Sequence, residues 1–385
     1  MHRLAAITTD PLIVDWFLRP HLAAWSRFAK VTLMVNMAVP HSDFVLDPRV
    51  QLEPVAIQRR IAPFRDLLTL YRLIRAFRRG RYSGVYSVAP KAGLLAMLAA
   101  WIARVPLRCH VFQGEVWNAR RGPMRWLLRS ADRITAAVAT DILVVSESER
   151  QFLVREGVID PGKALVLGKG SISGVDPARF RPDADARRDV RLAHDIPEGA
   201  TVISYLGRFS RDKGLFELAS AFTRISSRHP DTYMFLIGPD EDKLVPRLIE
   251  ILEPVQHRVR FVGFTRAPER YLAASDILAL PSLREGFPMV LIEAAAVGIP
   301  AVASSIYGIS DAMIDGVTGL MHPPRDAAAT EKALEQLIED PELRRKLGEA
   351  GRARALSEFE AANVVQRTAD FLKARLDRQH EAAGT

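Results

Sequence analysis

The sequence predicts an α/β protein built from two Rossmann-like domains, each with a parallel sheet. Three observations carry that prediction. Short apolar runs suited to strands alternate with helical segments along most of the 385 residues. The alternation breaks once, at the polar stretch FRPDADARRDVRLAHDIPE (180–198), and then restarts. The length suits two α/β domains better than one. Alternating strands and helices imply a parallel sheet covered on both faces. Ligands of such sheets gather at the carboxyl ends of the strands, so a cleft between two such domains is the expected site.

The first domain, 1–182, is predicted to hold strands at 4–8, 31–35, 85–88, 107–112, 142–145 and 165–167. An apolar-rich turn and helix follow the first strand. Residues 64–79, FRDLLTLYRLIRAFRR, predict an amphipathic helix. Phe64, Leu67, Leu68, Tyr71, Ile74 and Phe77 keep helical spacing, and Arg65, Arg72, Arg75, Arg78 and Arg79 take the remaining positions. Further helices are predicted at 93–102, 124–139 and 147–156. The polar stretch 180–198 is the linker. The second domain, 199–360, is predicted to hold strands at 201–206, 233–237, 259–262, 277–280 and 301–303. Its helices fall at 215–227, 245–252, 266–275 and 289–297, and the chain is helical from 327 onward. The last segment, 361–385, is a separate helix.

Composition narrows the function classes. A hydrophobic content of 48% with 25% charged residues describes a globular protein. The single cysteine, Cys109, excludes an internal disulfide or a cysteine metal cluster and suits a reducing compartment. The opening MHRLAAITTD is too short an apolar run for a signal peptide and reads as a first strand. The apolar run 92–103 stops at Arg104, too short to cross a bilayer. The net charge of +8 is uneven: residues 1–170 carry +12 and the remainder −4. A basic first half points to an anionic partner, either lipid or a phosphorylated substrate. Nucleic acid is disfavoured, because no recognition motif or aromatic platform accompanies the charge. The arginine helix is either a solvated outer face or a docking surface for anionic lipid.

Two stretches carry the candidate chemistry. The first, VISYLGRFSRDKG (202–214), places Arg208 and Lys213 in the loop after a strand. Two cations and two glycines there suit a diphosphate, and a solvated basic turn is the alternative. The glycine spacing and the order of Lys213 and Gly214 exclude a Walker A loop. The second, PSLREGFPMVLIEAAAVGIP (281–300), feeds a polar loop with Glu285 into a short apolar helix holding Glu293. Pro288 and Gly298 mark the helix ends. A helix N-terminus favours an anion in front of it. A carboxylate in an apolar helix needs a partner: a structural salt bridge, or the hydroxyls of a ligand. Gly168, Gly170 and Gly174 do not give dinucleotide-binding spacing. Asp183 and Asp185, a DxD-like pair, lie in the linker and read as solvated charge.

Together these stretches resemble the retaining glycosyltransferases of the GT-B fold in family 4, the glycosyl transferases group 1. The matching pieces are Gly207-Arg208-Phe209 with Lys213-Gly214, VRFVG at 259–263, Pro281-Ser282, and Glu285 with Glu293 eight residues on. Gly298-Ile299-Pro300 and DGVTGL at 315–320 complete the set. YSVAPKAGLLAMLAA, HVFQGEVW, VVSESER and GKGSISGVD in the first half resemble the capsular and O-antigen polysaccharide branch.

The resemblance implies a transferase taking sugar from a nucleoside-diphosphate donor, UDP-linked by preference with a GDP-linked donor as the alternative, and passing it to a lipid-diphosphate-linked saccharide. It implies a cytoplasmic protein held peripherally at the inner face of the cell membrane. It implies anomeric retention with no metal or other cofactor, and a final helix returning to the first domain. By resemblance Arg208 and Lys213 hold the diphosphate, Glu285 meets the transferred sugar, and Glu293 accepts from the ribose hydroxyls. Gly286, Phe287, Pro288, Met289 and Val290 contact sugar or phosphate, and Gly263 and Phe264 border the base. Arg19, His21, His110, Gln113, Gly114 and Lys169 are the candidates for acceptor or phosphate. The chain departs from the family in TTDPLIVDWFLRPH, which stands where many relatives have a glycine-rich loop, and in His110, which lies inside a strand. A nucleotide-sugar epimerase is the competing reading.

Overall fold

The computed structural model describes residues 1–38, 45–58 and 61–384. It forms two compact units, Met1–Ser173 with Ala361–Thr385, and Gly174–Glu360.

The first unit runs β1 (His2–Ile7), α1 (Pro11–Ile13), α2 (Arg19–Trp25), β2 (Ala29–Val35), β3 (Gln51–Pro54), α3 (Pro63–Gly80), β4 (Gly84–Val88), α4 (Pro90–Ile102) and β5 (Leu107–Phe112). It continues with α5 (Gly122–Val138), β6 (Asp141–Val144), α6 (Glu147–Arg155) and β7 (Ala164–Leu165). Its seven strands lie in the order β3-β2-β1-β4-β5-β6-β7. Every pairing is parallel, as the alternation of strands and helices predicts. The central strands are buried on both faces, so they read as continuous apolar runs such as Leu4–Ile7 and Val85–Val88.

The second unit runs α7 (Ala184–Ala193), β8 (Thr201–Leu206), α8 (Leu215–Arg228), β9 (Thr232–Ile237), α9 (Val245–Leu252), β10 (Val259–Gly263), α10 (Pro268–Ala273) and β11 (Ile277–Leu280). Next come α11 (Met289–Val297), β12 (Ala301–Ser304), α12 (Ile309–Ala312), β13 (Gly319–His322), α13 (Ala327–Glu339) and α14 (Pro341–Glu358). Its six parallel strands follow the order β10-β9-β8-β11-β12-β13. The order reverses between β8 and β11, and such a switch point opens a crevice at the carboxyl ends. The two ends of the unit are tied side by side where Val175 N–H donates to the Phe359 carbonyl at 2.8 Å.

The last helix, α15 (Ala361–Gly384), belongs to the first unit and packs on α2. Leu376 is buried beside Gly84, and Arg375 bonds Asp141 at 2.7 Å.

Three sequence expectations are corrected. The stretch 180–198 is not a linker, and the boundary falls at 173/174 rather than 182. Asp183 caps α7 by accepting from Ala186 N–H at 2.9 Å, and α7 packs on α10. Arg191, fully enclosed, bonds Asp276 at 2.8 Å and donates to the carbonyls of Glu198, Ala200 and Ala274. Its polarity is consumed internally, which composition does not reveal. Two short strands, β3 and β13, went unseen. On α3, Phe64, Leu67, Leu68 and Tyr71 are exposed, and Thr69, Leu73 and Phe77 are the residues it buries.

Candidate active site

The crevice of the second unit is floored by three glycines. β8 and β9 are each followed by a glycine, Gly207 and Gly238, and β10 ends in Gly263. Gly238 has φ of 142°, and a Cβ there would collide with the Gly207 carbonyl. Its N–H donates to the Gly263 carbonyl at 2.8 Å. Only glycine permits that approach and conformation. Phe264 follows, half exposed at the strand end.

Two loops meet above this floor, after β8 and after β11. Gly214, with φ of 67°, lies where a Cβ would strike the Pro281 carbonyl, so the loops are in van der Waals contact. Lys213 Nζ reaches Glu285 Oε1 at 2.6 Å, with both side chains only 13% exposed. A second pair locks the loops one residue earlier on each side. Asp212 accepts from Arg284 at 2.8 Å and from the Ser210 hydroxyl at 2.6 Å, and its carbonyl accepts from Leu283 N–H at 2.8 Å. Burial alone would raise the Asp212 carboxyl; the Ser210 hydroxyl, Lys213 and Arg284 outweigh it and hold it below the ordinary carboxylate value. Arg208, on the same loop, is half exposed and pairs with Glu241. Its carbonyl accepts from the Tyr205 hydroxyl at 2.8 Å.

Glu293 differs from Glu285. It lies inside α11, whose start follows Pro288 and whose end is Gly298 at φ 93°. Among the described residues it has no hydrogen-bonding or ion-pair partner. The nearby Arg179 spends its guanidinium on Glu269, at 2.9 Å. Burial raises the Glu293 carboxyl from 4.5 to about 7; Arg179 opposes this and Glu269 adds to it. The salt bridge considered from the sequence is therefore absent there. Gly286, Phe287 and Pro288 are buried and Met289 and Val290 half-buried; Phe287 packs on Phe359 with ring centres 5.2 Å apart. A Cβ on Gly308, φ 81°, would strike the carbonyl of Gly286, so this turn backs the Glu285 loop.

The candidates of the first unit occupy separate surroundings. His21 is buried, its Nε2 2.8 Å from the Ile172 carbonyl, and burial lowers its pKa to about 4. His110 is buried, its Nδ1 2.8 Å from the Ser87 hydroxyl, and burial lowers its pKa to about 3. Both are neutral imidazoles at pH 7. A Cβ on Gly93 would collide with the His110 ring, so this glycine of α4 makes room for it. Gly114 N–H donates to the buried Glu149, which also accepts from Val145 N–H at 3.2 Å. Gln113 and Gly114 are thereby tied to the start of α6. Arg19 pairs with Asp15 at 2.8 Å in solvent, and Lys169 is exposed in its turn.

Sequence reasoning missed Asp212, Arg284, Gly238 and Glu149. The first two carried a signal: each is the charged neighbour of a residue already chosen, Lys213 and Glu285.

Comparison with known proteins agrees with this geometry. The family model Glycosyl transferases group 1 matches residues 186–354, and the Glycosyl transferase 4-like domain matches 21–170. The chain is 30% identical over 306 residues to a capsular polysaccharide biosynthesis glycosyltransferase, CapM, of Staphylococcus aureus, covering 79% of this chain and 80% of that protein. It is 23% identical over 319 residues to an Escherichia coli UDP-Gal:alpha-D-GlcNAc-diphosphoundecaprenol alpha-1,3-galactosyltransferase, covering 81% of each. Among solved structures, sucrose-phosphate synthase from Thermosynechococcus elongatus superposes with a TM-score of 0.81 at 24% identity over all of both chains. HepE of Anabaena, in complex with UDP and glucose, superposes with 0.80 at 17% identity over 97% of this chain and 100% of that one.

Proposed function

The chain belongs to the glycosyl transferases group 1 family, and on that premise we propose a retaining transferase. It moves a hexosyl or N-acetylhexosaminyl group from a UDP-sugar to a lipid-diphosphate-linked saccharide in cell-surface polysaccharide synthesis. The observation that carries the reading is the enclosed Lys213–Glu285 pair at the carboxyl ends of β8 and β11, with Glu293 unpartnered on the helix that follows. The printed description of the Escherichia coli relative names a UDP-linked donor and a lipid-diphosphate acceptor, and HepE was solved with UDP. Both support the same ligand classes here.

In this reading Lys213 and Arg208 take the diphosphate and Glu285 takes the sugar hydroxyls. Glu293 accepts from the ribose, Gly263 and Phe264 border the base, and the 286–290 segment lines the sugar and phosphates. The bond from the anomeric carbon to the UDP oxygen breaks while the acceptor oxygen bonds the same face. The acceptor proton passes to the departing phosphate. Lys213 and Arg208 stabilise the charge that grows there, so no metal is required. On the first unit Arg19, His21, His110, Gln113, Gly114 and Lys169 are proposed for the acceptor, the two histidines as neutral hydrogen-bonding groups. Among the described residues no helix is long and apolar enough to cross a membrane. The proposed location is peripheral, at the cytoplasmic face.

The test is a melting-shift screen with UDP and GDP, followed by a panel of the matching nucleotide sugars. UDP should raise the melting temperature, and Lys213→Ala should abolish most of that rise. Activity should survive EDTA. An equal UDP response in Lys213→Ala, or a stronger response to GDP in the parent, would overturn the donor assignment. Conversion of the UDP-sugar to its epimer with no acceptor present and no net release of UDP would point to the epimerase instead.

A further inference from the structure

The loop after β5 is fastened to two buried carboxylates. It leaves the first unit's sheet at the carboxyl end of an interior strand, where ligands of parallel sheets gather. Gln113 and Gly114 come first and are half-buried, while Val116, Ala119 and Arg120 stand in solvent. The first fastening is the Gly114 N–H on Glu149. The second is Trp117, on the single turn Val116–Ala119. Its ring is 1% exposed and stacks on Phe152 of α6, with centres 5.4 Å apart and planes 19° from parallel. The guanidinium groups of Arg125 and Arg129 on α5 lie 5.3 and 5.9 Å from the ring centre. The indole N–H donates to Asp132 of α5 at 2.7 Å.

Ring packing is enough to bury Trp117, and any neutral oxygen would satisfy its N–H. A carboxylate is a costly acceptor at that place, because Asp132 is only 5% exposed. Burial raises its carboxyl from 3.8 to about 7; the indole bond opposes this and Glu115 adds to it. The other charged groups nearby are engaged with one another. Arg125 and Arg129 pair with Glu156, after α6, at 2.9 and 3.4 Å. Arg155 of α6 lies over the Phe152 ring. Arg108 of β5 donates to the carbonyls of Val105 and Val138, and Lys91 of α4 is tied to Asp66. An ionised carboxylate accepts more strongly than a neutral acid or amide. The charge on Asp132 therefore sets how firmly the turn is held.

We propose that Asp132 is a positioning residue for the acceptor: through the Trp117 indole it fixes where Gln113 and Gly114 stand to meet the acceptor's sugar and diphosphate. The inference rests on the reading of Gln113 and Gly114 as acceptor contacts. It adds the group that holds them in place and makes acceptor binding, not donor binding, depend on it.

Steady-state kinetics test it, with GlcNAc-diphosphoundecaprenol as acceptor and the UDP-sugar found in the donor panel. Trp117→Phe keeps a ring on Phe152 and removes the N–H. It should raise the acceptor KM about tenfold and leave the donor KM within about twofold. Asp132→Leu should do the same. Asp132→Asn keeps an oxygen for the indole and should restore most of the loss. In the parent the acceptor KM should fall about threefold from pH 6 to pH 8, as the carboxylate ionises, whereas Asp132→Asn should stay near the parent's pH 6 value throughout. The UDP-induced melting shift, measured on each variant, confirms an intact second unit. A Trp117→Phe acceptor KM equal to the parent's, donor and acceptor KM rising together, or the same pH profile in Asp132→Asn would overturn the positioning role while the acceptor reading stands. A parent that shows the UDP shift but does not turn over this acceptor would overturn the acceptor reading, and the proposal with it.

Discussion

Replacing Glu293 by Gln isolates the effect of one half-buried carboxylate without an ion-pair partner among the described residues. Burial moves this group from 4.5 to about 7. Folding therefore opposes its ionisation, and stability is lost as pH rises from the unfolded value of 4.5 to about 7, then levels off. At roughly 1.4 kcal/mol per pKa unit, the fully ionised group destabilises the fold by about 3 kcal/mol. Of that, about 2 kcal/mol develops between about pH 5 and pH 8. Glutamine has its own desolvation penalty, but it does not titrate and cancels in the difference. For a unit of this size each kcal/mol moves the melting temperature by about 2–4 °C. The gap between Glu293→Gln and the parent should therefore grow in the variant's favour by roughly 4–8 °C from about pH 5 to pH 8. The assay is a series of thermal melts without ligand. A gap that stays constant with pH, or that shrinks as pH rises, would refute an unpartnered and desolvated Glu293. Repeating the melts with UDP adds the functional half. The variant should respond less, because a neutral amide accepts ribose hydroxyls more weakly than a carboxylate.

Other outcomes follow from the same contacts. Asp212→Asn should lower kcat/KM about tenfold or more through loss of the Arg284 and Ser210 bonds, with a rise in donor KM; an unchanged KM would remove its positioning role. Asp276→Ala strands the enclosed Arg191 and should destabilise the protein by about 3–5 kcal/mol in denaturant melts, while UDP affinity of the remaining folded fraction is unchanged. The donor sugar should bind about tenfold more tightly than UDP alone, and Glu285→Gln should erase most of that difference in titration calorimetry.

The sheets were legible because parallel strands buried on both faces are written as apolar runs, and most helices as amphipathic periods. The failures share one cause, dependence on distant partners. β3, QLEP, is a largely exposed edge strand whose pairing with Thr32–Val35 gives it its identity. α7 looks like linker because its Arg191 matches an aspartate 85 positions away. For α3 the period declares an apolar face but not which side meets the core; Thr69, Leu73 and Phe77 are the side that is buried. At the site the residue types were legible, yet the pairing of Lys213 with Glu285 crosses 72 positions, and so does that of Asp212 with Arg284.

That double crossing changes how the resting site is understood. Each cation proposed for the diphosphate already holds a carboxylate: Lys213 has Glu285, and Arg208 has Glu241. In the proposed reading a diphosphate entering the crevice would not meet bare charge; it would displace carboxylates from their partners. Displacement is favourable only if the released acid finds donors elsewhere, because an enclosed carboxylate left alone is costly. Glu241 is half exposed and can turn to water. Glu285 is enclosed, so in the proposed reading the hydroxyls of the donor sugar would be its compensation. Phosphate recognition and sugar recognition are then coupled through one ion pair. Asp212 and Arg284, one residue away on either loop, keep that exchange in register while it occurs.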